Sequence, residues 1–203
     1  MRVVAKIGSS SLTDERGVIN RGAIARLCDQ TAVLRSDGHE VLIVTSGAVS
    51  SGVAALGLSS RPSDMPTLQA LAAAGQPRLM AEYAAELGRH GLVPGQTLLV
   101  PNDFFNRQQY LHARQTLTRL LELGCVPIIN ENDAIASDEI RFGDNDRIAA
   151  LVSHLVAADV LVLLTDTPGL YTSDPRADPS ATLISDVRAD DPLLSVDASG
   201  SGS

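Results

Sequence analysis

An α/β fold with a mainly parallel sheet covered by helices is predicted by three features of this chain. Short apolar runs alternate with longer helical patterns along most of the sequence. The runs are apolar at consecutive positions, as strands buried on both faces are. The polar and glycine-bearing motifs follow the runs, at the strand ends where open α/β sheets gather their ligands.

The elements follow in order. Strand-length apolar runs occupy residues 3–7, 41–45, 97–100, 126–129 and 160–164. Helical patterns fill 21–36, 48–56, 66–89, 107–123 and 147–157. Pro62, Pro66, Pro94 and Pro101 fall in connections, where a missing N–H is tolerated. The alternating stretch 134–142 reads as a hairpin or loop arm.

Composition narrows the class. The chain has 203 residues, 44% of them hydrophobic, enough for one substantial core and one domain over 1–203. Its net charge is −8, with no Lys/Arg cluster and no aromatic stacking platform, so nucleic acid is not an expected partner. No apolar run is long enough to span a bilayer, and Arg2-Val3-Val4 opens a strand rather than a signal peptide. A cytoplasmic enzyme without membrane contact is the expectation. Cys28 and Cys125 fit no metal or redox spacing and read as reduced core thiols. His39, His90, His112 and His154 form no metal-binding pattern, and no residue is nominated as a metal ligand.

The densest chemistry lies between Asn130 and Asp146, where six carboxylates fall in seventeen residues. Asn132, Asp133, Asn145 and Asp146 offer the acceptors and amide donors that suit an ammonium and a carboxylate on one small ligand. A turn-rich acidic loop with Asp144 as helix N-cap is the plainer reading. Three strand ends carry further motifs. Lys6-Ile7-Gly8-Ser9-Ser10 sets a cation beside backbone N–H groups, either a small phosphate cradle or a turn with a snorkelling lysine. It lacks the spacing of a Walker A loop. Thr45-Ser46-Gly47-Ala48 leads a strand into a helix, either an anion site or an ordinary N-cap. Thr165-Asp166, followed by Pro168-Gly169, forms a loop that could shape a nucleotide pocket, with Asp166 and Tyr171 near base or ribose.

Together these motifs, with Gly75-Gln76 and Gly169-Leu170-Tyr171, resemble the glutamate 5-kinase branch of the amino acid kinase family over residues 3–184. The pair Asn130-Glu131-Asn132-Asp133 and Gly143-Asp144-Asn145-Asp146 carries the branch. The resemblance implies a three-layer α/β/α sandwich around a mainly parallel eight-stranded sheet. It implies transfer of the γ-phosphoryl of ATP to the side-chain carboxylate of L-glutamate, the first step toward proline. Lys6 and Asp146 are then catalytic, Lys6 at the phosphoryl group and Asp146 positioning lysines. Ser46, Asp133 and Asn145 hold glutamate. Lys6, Gly8, Ser9, Ser10, Gly47, Thr165 and Asp166 bind ATP, with Mg2+ riding on its phosphates. Proline as a feedback inhibitor and a homo-oligomeric state are further implications.

The family also carries a glycine-rich loop ending in a second lysine, and many members a C-terminal PUA domain. Neither lies within these residues, so the resemblance reads the chain as a kinase domain truncated at its C-terminal end. Thr167-Pro168 departs from the usual acidic residue before Gly169. A family member with another acceptor, or a catalytically impaired glutamate- or proline-binding domain, are the competing functions.

Overall fold

The computed structural model of the chain describes residues 1–14, 16–135, 145–166 and 168–191. They divide into two compact units, Met1–Leu164 and Thr165–Ser203.

The first unit contains β1 (Arg2–Ile7), α1 (Ser9–Leu12), α2 (Arg21–Ser36), β2 (Glu40–Val44), α3 (Ala48–Ala55) and α4 (Met65–Gly88). It continues with β3 (Pro94–Leu99), α5 (Arg107–Glu122), β4 (Val126–Glu131), α6 (Asn145–Leu155) and β5 (Val160–Leu164). The strands form a five-stranded sheet in the order β3-β4-β2-β1-β5, parallel at every pairing. The resemblance implied eight strands; the described residues supply five to this sheet.

Alternation along the strands splits the core into two faces. Val4, Leu42, Val44 and Ile129 pack with Leu117 and Leu121 of α5 and with Ile148 and Val152 of α6. Ile7, Ile43, Val126 and Ile128 pack with Ile24 and Leu27 of α2 and with Leu79 and Tyr83 of α4. Helices therefore cover both faces, giving three layers. Side-chain caps begin the longer helices: Asn20 accepts from Ala23 N, Asp64 from Thr67 N, and Asn106 from Gln108 N and Gln109 N, each replacing an acceptor that the first turn lacks.

Several boundaries differ from the sequence expectation. The third strand starts at Pro94 because this edge strand can seat a proline at its first position. The fourth runs two residues further, pairing Asn130 and Glu131 with Leu98 and Leu99. A 3-10 turn over Pro101–Phe104 and the short α1 were not foreseen. Cys28 is fully buried, but Cys125 is only half-buried, at the turn between α5 and β4. Of the predicted arm, Ala134 and Ile135 continue the turn after Asn132, whose carbonyl accepts from Ile135 N. The rest of the arm, and Asp144 as N-cap, lie outside the described residues. In the second unit β6 (Leu170–Tyr171) and β7 (Leu183–Ile184) pair antiparallel.

The crossing of α3 and α4 is closed by glycine. A Cβ on Gly75 would lie 1.9 Å from the Ala48 carbonyl oxygen and 2.5 Å from Gly52 N. Near Gly88, in the same helix, nothing lies within 4 Å of such an atom. Gly75→Ala is expected to lower the unfolding free energy by about 2–3 kcal/mol through overpacking, and Gly88→Ala to raise it by about 0.5 kcal/mol. Urea denaturation of the two variants checks both signs.

Candidate active site

Three parallel strands deliver their carboxyl ends to one region. In register, Lys6 lies beside Val44 of β2 and Leu163 of β5. Its side chain follows the parity of Val4, toward the layer of α5 and α6. The N-terminal turn of α6 meets it there: Lys6 Nζ lies 2.7 Å from Asp146 Oδ1, with the lysine side chain 14% exposed and the aspartate 56%. The ammonium is shielded while its partner reaches solvent.

The loops after β1 and β2 lie at the same strand ends. Gly8 has an ordinary φ of −81°, so its value is space: a Cβ there would lie 3.4 Å from Lys6 Nζ. Ser9 and Ser10 open α1, where the first N–H groups have no acceptor within the helix. Gly47 caps α3 at φ +97°, a left-handed conformation that side chains disfavour. A Cβ on it would meet Thr13 Cγ2 at 3.4 Å, so the loops after β1 and β2 adjoin.

Behind them lies a buried amide network. Asn145 Nδ2 donates to the Thr45 carbonyl at 3.0 Å, to Ser46 Oγ at 2.6 Å and to Asn130 Oδ1 at 3.2 Å. Asn130 Nδ2 donates to Gln76 Oε1 at 2.9 Å, and Asn130 Oδ1 accepts from Glu131 N at 2.9 Å. Below Thr45, its Oγ1 shares a 2.9 Å hydrogen bond with Tyr83 Oη. Burial pushes the Tyr83 phenol above its ordinary range, against the Thr45 hydrogen bond. Among the described residues Asn145 Oδ1 and Gln76 Nε2, both buried, have no hydrogen-bond partner.

Asp133 lies beyond the end of β4, with Oδ1 buried and also without a partner among the described residues. Burial, then the neighbouring Glu131, push its carboxyl up to about 7, with Arg61 opposing. Asp133, Glu131, Gln76, Ala48 and Ala73 line a cavity of about 30 Å³, room for one small group. Pro77 has no N–H, so the Ala73 carbonyl has no i+4 donor in the helix ladder. The cavity thus faces acceptors suited to an ammonium. A larger groove of about 400 Å³ runs past Arg16, Ser50 and Arg61 and is lined by none of the nominated site residues.

Lys6, Gly8, Ser46, Gly47, Asn145 and Asp146 are brought together directly, and Asp133 adjoins them across the amide network. Thr165 and Asp166 belong to the second unit, where Thr165 Oγ1 donates to Asp166 Oδ1 at 3.3 Å. Gln76, Asn130, Thr45 and Tyr83 were given no role from the sequence. The available signal was that Gln76 is a lone polar residue after a small-residue stretch, and that Thr45 and Asn130 stand at the polar ends of apolar runs. Among the described residues no group of three or more His, Cys, Asp or Glu side chains is arranged to hold a metal ion, and no helix is long and apolar enough to cross a membrane. The donor set, the Lys6 ammonium beside the N–H groups that open α1, suits a phosphate group, and Asp146 offers one carboxylate toward an ion carried on it.

The profile of the Amino acid kinase family matches residues 1–202. This chain belongs to the amino acid kinase family. A glutamate 5-kinase of Pseudomonas entomophila (strain L48) is 50% identical over 201 residues, covering 99% of this chain and 54% of that protein. A glutamate 5-kinase of Thermobifida fusca (strain YX) is 52% identical over 196 residues, covering 97% of this chain and 50% of its own length. The chain spans about half the length of these curated relatives. The crystal structure of a T. acidophilum isopentenyl phosphate kinase product complex matches with a TM-score of 0.61 and 21% identity, over 91% of this chain and 78% of that one. That likeness is one of fold and places the three-layer sandwich within the amino acid kinase architecture.

The raised Asp133 carboxyl has a consequence for stability in this family member. From its ordinary 3.8 up to about 7, the folded chain holds a proton that the unfolded chain has released. Stability from this group is therefore full below pH 3.8 and falls as pH rises through 7. Asp133→Asn is expected to stabilise the unliganded chain by about 2 kcal/mol at pH 8, discounting for partial solvation. At pH 3.5 the difference should vanish, and urea titrations at the two pH values measure it.

Proposed function

We propose that this chain carries the acceptor and phosphoryl-transfer site of a glutamate 5-kinase, within one kinase domain over residues 1–203. The reaction is ATP-dependent phosphorylation of the L-glutamate side-chain carboxylate to L-glutamyl 5-phosphate, which opens the route to proline. One observation carries the reading. A shielded lysine paired to Asp146 and a cavity faced by Asp133 flank a single amide network. That is a cation for a reacting carboxylate and anions for an ammonium, the two ends of one amino acid with a carboxylate side chain. The identity of about 50% to the two glutamate 5-kinases supports glutamate as that amino acid.

The chemistry asks little proton transfer of the protein. A glutamate carboxylate is ionised at neutral pH, so its oxygen attacks the γ-phosphorus directly. The bond to the ADP oxygen breaks as the new P–O bond forms, and no base is needed. What remains is alignment and charge neutralisation. Lys6 takes the transferring phosphoryl group, and Asp146 keeps the ammonium aimed. Gly8, Ser9, Ser10 and Gly47 present backbone N–H groups, while Thr165 and Asp166 serve the nucleotide. Mg2+, carried on the ATP phosphates, supplies charge neutralisation there. Ser46 and Asn145 hold the acceptor, Asn145 accepting through its open Oδ1 from the ammonium, which Asp133 pairs. Proline, an amino acid with the same α-groups, is the proposed inhibitor, and a homo-oligomer the proposed assembly.

ADP release with glutamate, aspartate and N-acetylglutamate tests the reading; a preference for either of the latter would move the chain to another branch. Lys6→Ala should lower turnover by about a hundredfold or more while glutamate binding changes little, the loss of one transition-state charge contact. Asp133→Ala should weaken glutamate and spare ATP. Because an ammonium partner requires ionised Asp133, glutamate affinity should rise with pH up to about 7. Binding below that pH should release a proton, seen as a dependence of the calorimetric heat on buffer.

A further inference from the structure

Gln76 sits on α4, directly after the small-residue stretch Ala72-Ala73-Ala74-Gly75, and is 7% exposed. Backbone groups fix which way its amide points. Asn130 Oδ1 must face the Glu131 N–H, from which it accepts at 2.9 Å. Asn130 Nδ2 is thereby turned to Gln76 and requires an acceptor, which Gln76 Oε1 supplies at 2.9 Å. Asn145 is fixed in the same sense, because Thr45 offers it only a carbonyl. The three amides form a chain with a direction. One end is an open acceptor, Asn145 Oδ1, and the other an open donor, Gln76 Nε2, both buried and without partners among the described residues.

A buried N–H without an acceptor is unfavourable and uncommon. Gln76 lines the 30 Å³ cavity together with Asp133 and Glu131. On an α-amino acid the ammonium and carboxylate share one carbon, so a cavity that takes the ammonium at Asp133 must meet the carboxylate within a few ångströms. Ionised Glu131 and Asp133 can only accept hydrogen bonds; of the two side-chain amides lining the cavity, Asn132 is half-buried, and Gln76 is the one whose Nε2 is buried without a partner among the described residues.

We propose that Gln76 is a substrate-binding residue whose Nε2–H donates to the α-carboxylate of the amino acid acceptor, fixing α-amino acids against simple amines. The inference rests on the reading of this site as one for glutamate, and adds the group that recognises the α-carbon end.

Gln76→Glu separates binding from framework, since it keeps the Oε1 acceptor for Asn130 and, ionised, has no donor. Calorimetry compares L-glutamate with 4-aminobutyrate, the same chain without the α-carboxylate, in competition where direct heats are small. Nucleotide affinity and thermal unfolding are measured alongside. At about pH 8.5, where the introduced carboxylate is ionised beside Glu131 and Asp133, the expected result is a tenfold or greater loss of glutamate affinity, with 4-aminobutyrate, whose ammonium the added charge favours, not weakened and nucleotide unchanged. If Gln76→Glu does not fold, Gln76→Met takes its place in the same comparison. Glutamate affinity at the wild-type level, or an equal loss for both ligands, would assign Gln76 to holding Asn130 and overturn the proposal. A wild-type chain that takes nucleotide but no glutamate would overturn the reading of the site, and this inference with it.

Discussion

The hydrogen bonds of one buried amide organise this site. Asn145 is the first residue of α6, and its Nδ2 reaches the carbonyl of Thr45 and the hydroxyl of Ser46 after β2, and Asn130 at the end of β4. Three elements that enter the sheet far apart in sequence are thereby held in one relation. The next residue, Asp146, is consequently delivered to Lys6 on β1. Hydrogen bonds in a low-dielectric interior are directional and costly to leave unmade, so the network sets position as well as stability.

The fold was legible because β1, β2 and β4 are buried on both faces and leave apolar runs, while β5, which the same pattern predicted to be buried, is largely exposed at the sheet edge. Runs such as Val41 to Val44 can hardly be anything else in a chain of this composition. The short α1 and the 3-10 turn after β3 were not legible, since a single turn has little intrinsic signal and is set by packing. Pro94 and Gly95 concealed the start of β3 because both weaken a strand pattern; the edge position seats the proline, and Leu120 packs where a Gly95 side chain would stand.

The site was legible in its residue types and not in its wiring. Strand ends carrying Lys6, Ser46 and Asp133 stood out as polar breaks after apolar runs. Gln76 and Asn130 are 54 positions apart in sequence, and nothing local in either segment states that they pair. Asn145 illustrates the gap. Its residue type suits a ligand, yet the fold uses its Nδ2 and leaves only its Oδ1 open. Asp133 shows the opposing demands at such a site. Burial and Glu131 raise its carboxyl to about 7, at a cost to folding at neutral pH that an ammonium partner would relieve.

The proposed reaction delivers a phosphoryl group to the side-chain carboxylate of glutamate. An acyl phosphate reacts with hydroxylamine to give a hydroxamate that keeps the position of the activated carboxyl. Mass spectrometric analysis of the trapped product, after incubation with ATP, Mg2+ and L-glutamate, therefore reads the acceptor atom directly. The expected product is the side-chain hydroxamate of glutamate, dependent on ATP and lost in Lys6→Ala. The α-hydroxamate, or a side-chain hydroxamate of aspartate formed in preference, would contradict it.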